Sequence, residues 1–542
     1  MALKHSLNII NLFKLSISSK IRNVYLNSAF YNNKISKLSN KNLVFKPSPN
    51  LVDCLVKYDK KKKNIDTFNL DSFWEYHNIN SRSYKNLQSF FWLFTIDLKS
   101  SNREIQNLIE NWIDKNKNFN LQNWEINILS KRIISWISNS KLTYEDSSDE
   151  YKSKFNFIIK KQVNHLKNEI DRSKLVDNKL LGCAAIILVG ISYKDNNVLV
   201  YGLNLLKKII IISFNKDGFP RSRNLRQMLF YFKHLVFIRE LLKESQYEIP
   251  DILNEIIFDL GQSYSLFIKN NITSYLFNGN HENNNEDFDK YLADRGYKFN
   301  KQNCDLGGYI LLNDKRCSLI MDLGRSPEKE FSSSYQSGAL SFEFTYLNKK
   351  IICNSGFFQK NKHQLNKISR SSATHSTLII DNNSSVSFEK DKFGNYQVEK
   401  SMKIISRNYK FEKDSWSING SHDGYSKKYG IIHHRSLEYI VKDIVLYGKD
   451  KIQKKKNFKS SSFEIRFHLY PGTKVLKTVD GQTVLFEIEN TGWKFTCKNQ
   501  TIDLETGLYF GKKNSYTENQ NICISGKTSG EDQEINWKIE KI

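Results

Sequence analysis

The spacing of apolar residues changes once along the chain. From about residue 71 to residue 276 they recur at the i, i+3, i+4 and i+7 positions of helices, in segments such as FWEYHNI and KFNFIIKKQVNHLKNEI. Consecutive helices joined by short turns are typical of an α/α solenoid or toroid. The most apolar run, LLGCAAIILVGI at 180–191, is too short to cross a membrane and predicts a core helix.

From about residue 289 onward, the apolar pattern has a period of two. Segments such as CSLIMDLG, SFEIRFHLY and TVLFEIEN alternate or run apolar over the length of a strand, and turns such as Asp-Gly separate them. This pattern predicts a large antiparallel β-sandwich. We therefore predict an α+β multidomain chain with an N-terminal extension (1–70), a helical domain (71–285) and a β-sandwich domain (286–542).

The net charge of the 542-residue chain is +25. A basic surface attracts polyanions such as nucleic acid, anionic polysaccharide or an anionic membrane. The abundance of Lys, Asn and Ile is equally typical of A/T-biased coding, which raises the lysine content everywhere. No nucleic-acid-binding motif is present, so no specific nucleic-acid partner is predicted.

Cysteine usage and the N-terminal sequence argue against a secreted, disulfide-linked protein. The seven cysteines form no C-x-x-C pair and are odd in number, which makes a disulfide framework or a structural zinc site unexpected. The start, MALKHSLNIINLFKLSISSK, has no apolar segment followed by a small-residue cleavage site, so no secretory signal is predicted. No transmembrane segment is predicted either.

Two segments contain candidate functional residues. In DGFPRSRN, a turn is followed by Arg221, Arg223 and Asn224 at the start of a helix, where a carboxylate or sulfate is favoured. In RSSATHSTLIID, His375 lies just before a predicted strand. Each segment has a structural alternative, since the first could be a capped turn with solvated arginines and His375 could simply hold a loop by a hydrogen bond.

Seven segments in one order carry a resemblance to a known family. They are DGFPRSRN, YLFNG, MDLGRSP, GALSFEFTYLNKKIICNSG, RSSATHSTLIID, HDGYSKKYGIIHHRS and FEIRFHLYPGTKV. This series resembles the heparinase II/III-like family of polysaccharide lyases, especially its bacterial branch. The resemblance covers most of the chain and implies an incomplete α/α toroid followed by an antiparallel β-sandwich.

The resemblance also implies a reaction, the β-elimination of polysaccharides that contain uronic acid. A polar or cationic group must neutralise the uronate carboxylate, because the C5 proton is otherwise too weakly acidic. A histidine or tyrosine then removes that proton, and a second such group protonates the leaving oxygen. The implied protein is a carbon–oxygen lyase, and its implied partner is an acidic polysaccharide.

The sequence departs from the family pattern at several positions. The Asn-His pair of active members falls near Asp177 and Asn178, and their tyrosine falls near Gln227. Gln336 replaces a histidine of the sandwich, and Asn354 stands where zinc-containing members have an aspartate. Because neutral amides are poor zinc ligands, we predict no metal and no cofactor.

The candidate site therefore combines residues that match the family with neighbours that could replace the missing ones. The catalytic candidates are His375, Tyr335, Arg223 and Asn224. The substrate-binding candidates are Arg221, Arg325, Gln336 and Arg370. In this set, Arg223 or Asn224 would neutralise the carboxylate, and Tyr335 or His375 would act as base or acid.

Three functions stay open at this point. The first is a lyase with a rearranged site, and the second is a catalytically inactive protein that binds an anionic glycan. The third is nucleic-acid binding through the net charge of +25, which no motif supports. The family implies the cell envelope or periplasm, whereas the missing signal sequence favours the cytoplasm. The sequence does not predict the oligomeric state.

Overall fold

The computed structural model describes residues 17–37, 41–56, 81–97, 99–269, 274–299, 304–361, 363–391 and 394–542. The chain forms two compact units of three segments each. The first unit consists of Met1–Ser213, Phe230–Phe258 and Glu286–Lys298. The second unit consists of Phe214–Leu229, Asp259–Asn285 and Phe299–Ile542. The predicted helix FWEYHNI and the predicted boundary at residue 71 lie outside the described residues.

The first unit is helical, as the apolar spacing predicts. A first helical stretch covers residues 17–26. The helices that follow it along the described chain are α1 (Ala29–Ile35), α2 (Arg82–Ser89), α3 (Asn102–Asn116), α4 (Ile126–Ser138), α5 (Ser140–Thr143), α6 (Asp149–Glu169), α7 (Val176–Ser192), α8 (Asn196–Ser213), α9 (Leu225–Glu244), α10 (Asp251–Phe267) and α11 (Glu286–Asp294). Two short helices, α12 (Gln364–Ile368) and α13 (Ser426–Tyr429), belong to the second unit.

Helix α7 lies at the centre of the first unit. Its sequence is apolar on every side, and all its residues from 180 to 192 are buried. It packs against α4, α6 and α8, so the predicted core helix is confirmed. Within the described residues, no helix has the length and apolar character needed to cross a membrane.

Helix α6 shows how one periodic segment folds. The Ser148 hydroxyl accepts a hydrogen bond from the Tyr151 N–H at 3.2 Å and so caps the first turn. Near the other end, His165 is buried, and its Nδ1 lies 2.7 Å from the Tyr31 hydroxyl. The His165 ring also meets the edge of Trp124. His165 is thus a packing residue of the helical core.

The second unit is built mainly from β-strands. They are β1 (Asp305–Leu306), β2 (Tyr309–Asn313), β3 (Cys317–Asp322), β4 (Phe342–Tyr346), β5 (Lys349–Ile352), β6 (Leu378–Ile380), β7 (Ser387–Lys390), β8 (Tyr396–Lys400), β9 (Ile404–Phe411), β10 (Ser415–His422), β11 (Ile431–Ile440), β12 (Val445–Lys454), β13 (Ser462–His468), β14 (Lys474–Lys477), β15 (Thr483–Ile488), β16 (Thr491–Thr496), β17 (Ile502–Tyr509), β18 (Thr517–Lys527) and β19 (Gln533–Lys541).

These strands form four sheets with antiparallel pairing throughout. The eight-stranded sheet has the order β14-β15-β16-β19-β12-β11-β10-β9, and the five-stranded sheet runs from β1 to β5. A four-stranded sheet has the order β17-β18-β13-β6, and β7 pairs with β8. Strand β11 alternates buried and more exposed residues, as the period of two predicts.

A buried polar cluster lies on the inner face of the eight-stranded sheet. The Asp450 carboxylate accepts hydrogen bonds from Arg435 Nε at 2.8 Å, His433 Nε2 at 2.7 Å and Trp537 Nε1 at 2.9 Å. The Arg435 guanidinium also donates to the carbonyl of Ser376 at 2.6 Å. The cluster therefore ties the sheet to the chain directly after His375.

Candidate functional site

The segment DGFPRSRN forms a tight turn in the second unit. The Asp217 carboxylate accepts hydrogen bonds from the N–H of Phe219 at 3.2 Å and of Gly307 at 3.2 Å. Phe214 and Pro220 form an isolated antiparallel bridge across the turn. The turn is therefore fixed both within itself and to the start of the five-stranded sheet.

Arg223 leaves this turn with its side chain buried. Its residue is 4% exposed, and its Nη2 lies 2.5 Å from Asp322 Oδ1 at the end of β3. Its Nε donates to the carbonyl of Gly307 at 2.8 Å, and the guanidinium lies 4.6 Å from the ring centre of Tyr309. Because Asp322 already neutralises this cation, Arg223 is not free to neutralise a substrate carboxylate.

Two glycines make room for the Arg223 guanidinium. A Cβ at Gly324 would lie 2.1 Å from Arg223 Cζ, and a Cβ at Gly308 would lie 3.1 Å from Arg223 Nε. Gly308 also adopts a positive φ of 83°, which only glycine adopts without strain. Arg223, Asp322, Gly308 and Gly324 therefore form one closely packed cluster.

Asn224 caps helix α9 and connects it to a second loop. Its Oδ1 accepts hydrogen bonds from the N–H of Arg226 at 2.9 Å and of Gln227 at 3.1 Å. Its Nδ2 donates to the Ser334 hydroxyl at 2.7 Å. The capped-turn alternative thus describes Asn224 well, whereas Arg223 is buried and not solvated.

Gln336 joins three backbone segments. Its Oε1 accepts a hydrogen bond from the Gly279 N–H at 3.0 Å, and its Nε2 donates to the carbonyls of Gly356 at 2.9 Å and Ser369 at 2.5 Å. A neutral amide can both donate and accept here, which a carboxylate could not. Gln336 therefore has a complete structural role.

Arg370 is buried among backbone carbonyls. Its Nη1 donates to the Tyr335 carbonyl at 3.0 Å, its Nη2 bonds the carbonyl of Ser333, and its Nε donates to Asn366 Oδ1 at 3.1 Å. The guanidinium also lies 4.9 Å from the Phe357 ring centre. Burial lowers the pKa of Arg370 to about 10, so the side chain stays charged at neutral pH and holds the Tyr335 loop in place.

His375 is 1% exposed, and Nε2, one of its two ring nitrogens, has no hydrogen-bond partner. Its Nδ1 donates to the Ser371 carbonyl at 2.9 Å, which leaves Nε2 as the unprotonated nitrogen. Burial lowers the pKa of His375 to about 4, so the ring is neutral at pH 7 and its Nε2 keeps a free lone pair.

Tyr335 is the second candidate whose polar atom is unpaired. Its side chain is buried against Ala339, Val386 and Phe388, and its hydroxyl has no hydrogen-bond partner. Burial raises the pKa of Tyr335, and the Asp322 carboxylate adds to that rise. The hydroxyl is therefore protonated at neutral pH and can donate a hydrogen bond.

Arg221 and Arg325 differ from the buried arginines. The Arg221 side chain is partly exposed, its Nε donates to the Phe214 carbonyl at 3.3 Å, and its guanidinium lies 5.7 Å from the Phe331 ring centre. Arg325 is exposed, and its carbonyl accepts a hydrogen bond from Arg223 at 3.3 Å. Of the four arginines proposed for the site, these two have guanidinium groups that solvent reaches.

The structure thus brings most of the candidate residues into one connected network of the second unit. Sequence reasoning did not single out Asp322, Tyr309 or Asn278, although all three complete the network. The Tyr309 hydroxyl donates to the Arg223 carbonyl at 2.7 Å, and Asn278 Nδ2 contacts that hydroxyl. The signal for Asp322 was present in the MDLGRSP segment, directly before the glycine that accommodates Arg223.

The zinc that some family members contain does not fit these residues. Asn354 Oδ1 accepts a hydrogen bond from the Ser376 N–H at 3.0 Å, and its amide carries no charge. Among the residues that the structure describes, no group of three or more His, Cys, Asp or Glu side chains could hold a metal ion.

A chelator is accordingly expected to leave the stability of the protein unchanged. A structural metal at 100 times its Kd would add about 2.7 kcal/mol to the unfolding free energy, so its removal would lower the Tm by several degrees. The measurement is differential scanning fluorimetry before and after dialysis against EDTA, with elemental analysis of the same sample. Stoichiometric zinc together with a lower Tm after EDTA would contradict this expectation.

The fold is similar to that of solved heparinase III and heparan sulfate lyase structures. A crystal structure of heparinase III matches with a TM-score of 0.68 at 14% identity, over 94% of this chain and 88% of that one. The heparan sulfate lyase HepC from Pedobacter heparinus matches with a TM-score of 0.62 at 13% identity, over 95% of this chain and 83% of that one. The predicted fold class, an α/α toroid followed by antiparallel β-sheets, is confirmed.

The sequence comparison confirms the resemblance to this family. Residues 299–538 match the family model described as heparinase II/III-like, C-terminal. Protein Ycf2 of Physcomitrium patens is 26% identical over an alignment of 344 residues, and the match covers 58% of this chain and 14% of that protein. The chain thus spans only a small part of that relative.

Proposed function

We propose that this protein is a polysaccharide lyase that acts by β-elimination on acidic, uronate-containing polysaccharide. One observation carries the proposal: His375 Nε2 and the Tyr335 hydroxyl, the two candidate proton carriers, are buried and unpaired within one network. Buried polar atoms nearly always have a partner, so two orphaned ones at the family's site suggest a missing partner, such as substrate or water.

The roles within the proposed site follow from protonation and exposure. His375 has a free lone pair on Nε2 and is the base, while Tyr335 is protonated and donates to the leaving oxygen. Arg325 and Arg221 take over the neutralisation of the carboxylate, because solvent reaches them and Arg223 is already paired with Asp322. The family resemblance supports an envelope or periplasmic location as part of this proposal.

A second candidate function is recognition of the same acidic glycan without cleavage. The observation that favours it is burial, since His375 and Tyr335 are each 1% exposed. A polymer reaches them only if the loops around them move. Arg221 and Arg325 would then be the binding cations of a protein in which the other candidates are structural.

The two functions are separated by the absorbance of the unsaturated uronate that elimination creates. We expect incubation with a panel of uronate polysaccharides to give a rising ultraviolet signal. His375→Ala is expected to lower the rate at least about 100-fold, because general-base catalysis contributes that much. Circular dichroism would show whether the variant keeps its fold.

His434→Ala is the matched control for this experiment. His434 is a partly exposed histidine of β11 that contacts Gln453 at 2.7 Å and lies outside the network. Its substitution should leave the rate unchanged. A flat signal over the whole panel, with glycan binding still detected, would reject the lyase and leave the binding protein.

A further inference from the structure

The first helical stretch of the first unit leaves an apolar surface uncovered. Ile17, Ile21 and Val24 occupy i, i+4 and i+7 positions on one helix face and are 43%, 64% and 73% exposed. Phe30, in the first turn of α1, is 70% exposed. We call these four residues the N-terminal apolar row. Single exposed apolar residues are common, whereas a contiguous row marks an interaction surface.

The opposite side of the same helices is firmly packed on the first unit. Arg22 forms an ion pair with Glu169 of α6, and Leu26 is buried. The Tyr31 hydroxyl of α1 contacts His165 at 2.7 Å. The helices are therefore anchored by one face, and the apolar row lies on the other face in solvent.

The sequence around the row is basic and contains no acidic residue. Before Asp53, the chain has seven lysines and one arginine but neither aspartate nor glutamate. Arg22 is paired with Glu169, whereas Lys20, Lys34 and Lys37 are exposed. Lys20 lies between Ile17 and Ile21 on the same helical stretch. This segment thus combines exposed apolar side chains with basic residues and no acidic ones.

From this geometry we propose that the N-terminal apolar row and its lysines bind the surface of an anionic lipid bilayer. Apolar side chains on one helix face enter the boundary between headgroups and acyl chains, while lysine stems reach along it to the phosphates. An anionic membrane complements both properties at once, the apolar row and the unbalanced positive charge. The inference does not depend on the proposed function.

The test is co-sedimentation of the full chain with lipid vesicles. We expect the protein to bind vesicles of equal parts phosphatidylglycerol and phosphatidylcholine and to bind phosphatidylcholine alone much less. The double variant Ile21→Asp with Val24→Asp should bind the anionic vesicles at least about tenfold more weakly, because two apolar contacts are lost and two negative charges are added. High salt should weaken binding of the wild-type chain.

The matched control is Ile405→Asp with Phe411→Asp on β9, since both residues are exposed but lie far along the chain in the second unit. It should bind like the wild-type chain. Equal binding of the row variant and the wild type, or equal binding to both kinds of vesicle, would overturn the proposal. So would self-association through the row without lipid binding. If the double variant has a lowered Tm, Val24→Ser replaces it.

Discussion

Arg223→Ala is expected to lower the unfolding free energy of the second unit by about 3–5 kcal/mol. Removal of the guanidinium leaves the Asp322 carboxylate buried without its cation, and the carbonyls of Gly307 and Gly324 lose their donors. Urea denaturation followed by circular dichroism measures the loss. The expected effect is large because Asp322, the ion-pair partner of this arginine, is itself buried.

Two further variants show whether burial and pairing cause the loss. Arg325→Ala removes an exposed arginine directly after Gly324 and should change the free energy of unfolding by less than about 0.5 kcal/mol. Combining Arg223→Ala with Asp322→Ala should recover part of the loss, because the orphaned charge is then gone. If Arg223→Ala is as mild as Arg325→Ala, the described ion pair does not hold the unit together.

Acidification is expected to destabilise the protein steeply between pH 6.5 and pH 4. Burial lowers the pKa of His375 and His234 to about 4 and that of His165 and His468 to about 3. The unfolded chain binds these protons near pH 6.5, whereas the folded chain excludes them. Their stabilisation is therefore complete above pH 6.5 and is lost as the pH falls toward the folded pKa values, at about 1.4 kcal/mol per pH unit for each histidine.

The pH dependence is measured by urea denaturation at closely spaced pH values. His375→Asn should reduce the slope of the unfolding free energy against pH by about 1.4 kcal/mol per pH unit, since the side chain at this position then no longer titrates. A free energy of unfolding that stays constant from pH 6.5 to pH 4 would show that these histidines are accessible to protons in the folded chain.

The helices and strands of the fold were predictable because they follow from the local spacing of apolar residues. The apolar run at 180–191 predicts a core helix, and α7 is that helix. The alternation in the second half predicts antiparallel strands, and β11 shows it residue by residue. Such patterns report which face of an element is buried, and this depends on neighbours only a few positions away.

The residues of the candidate site were predictable from the sequence, but their hydrogen-bond and ion-pair partners were not. Arg223 was expected to meet a substrate carboxylate, yet it meets Asp322 on a strand that begins far along the chain. Gln336 was recognised as a substitution, but nothing local shows that its amide joins three backbone segments. His375 is buried beside Gly338, where an added Cβ would lie 2.6 Å from its ring. Long-range pairing of this kind has no signature in residue spacing.

The cluster of Arg223, Asp322, Gly308 and Gly324 also constrains how the sequence of this chain can change during evolution. Arg223 requires an anion at position 322, and its guanidinium requires the absence of side chains at Gly308 and Gly324. A single replacement at any of the four positions would disturb the packing or the charge balance of the other three. Drift at these positions is therefore epistatic, and a descendant that leaves this arrangement must change several residues together or pass through an unstable intermediate.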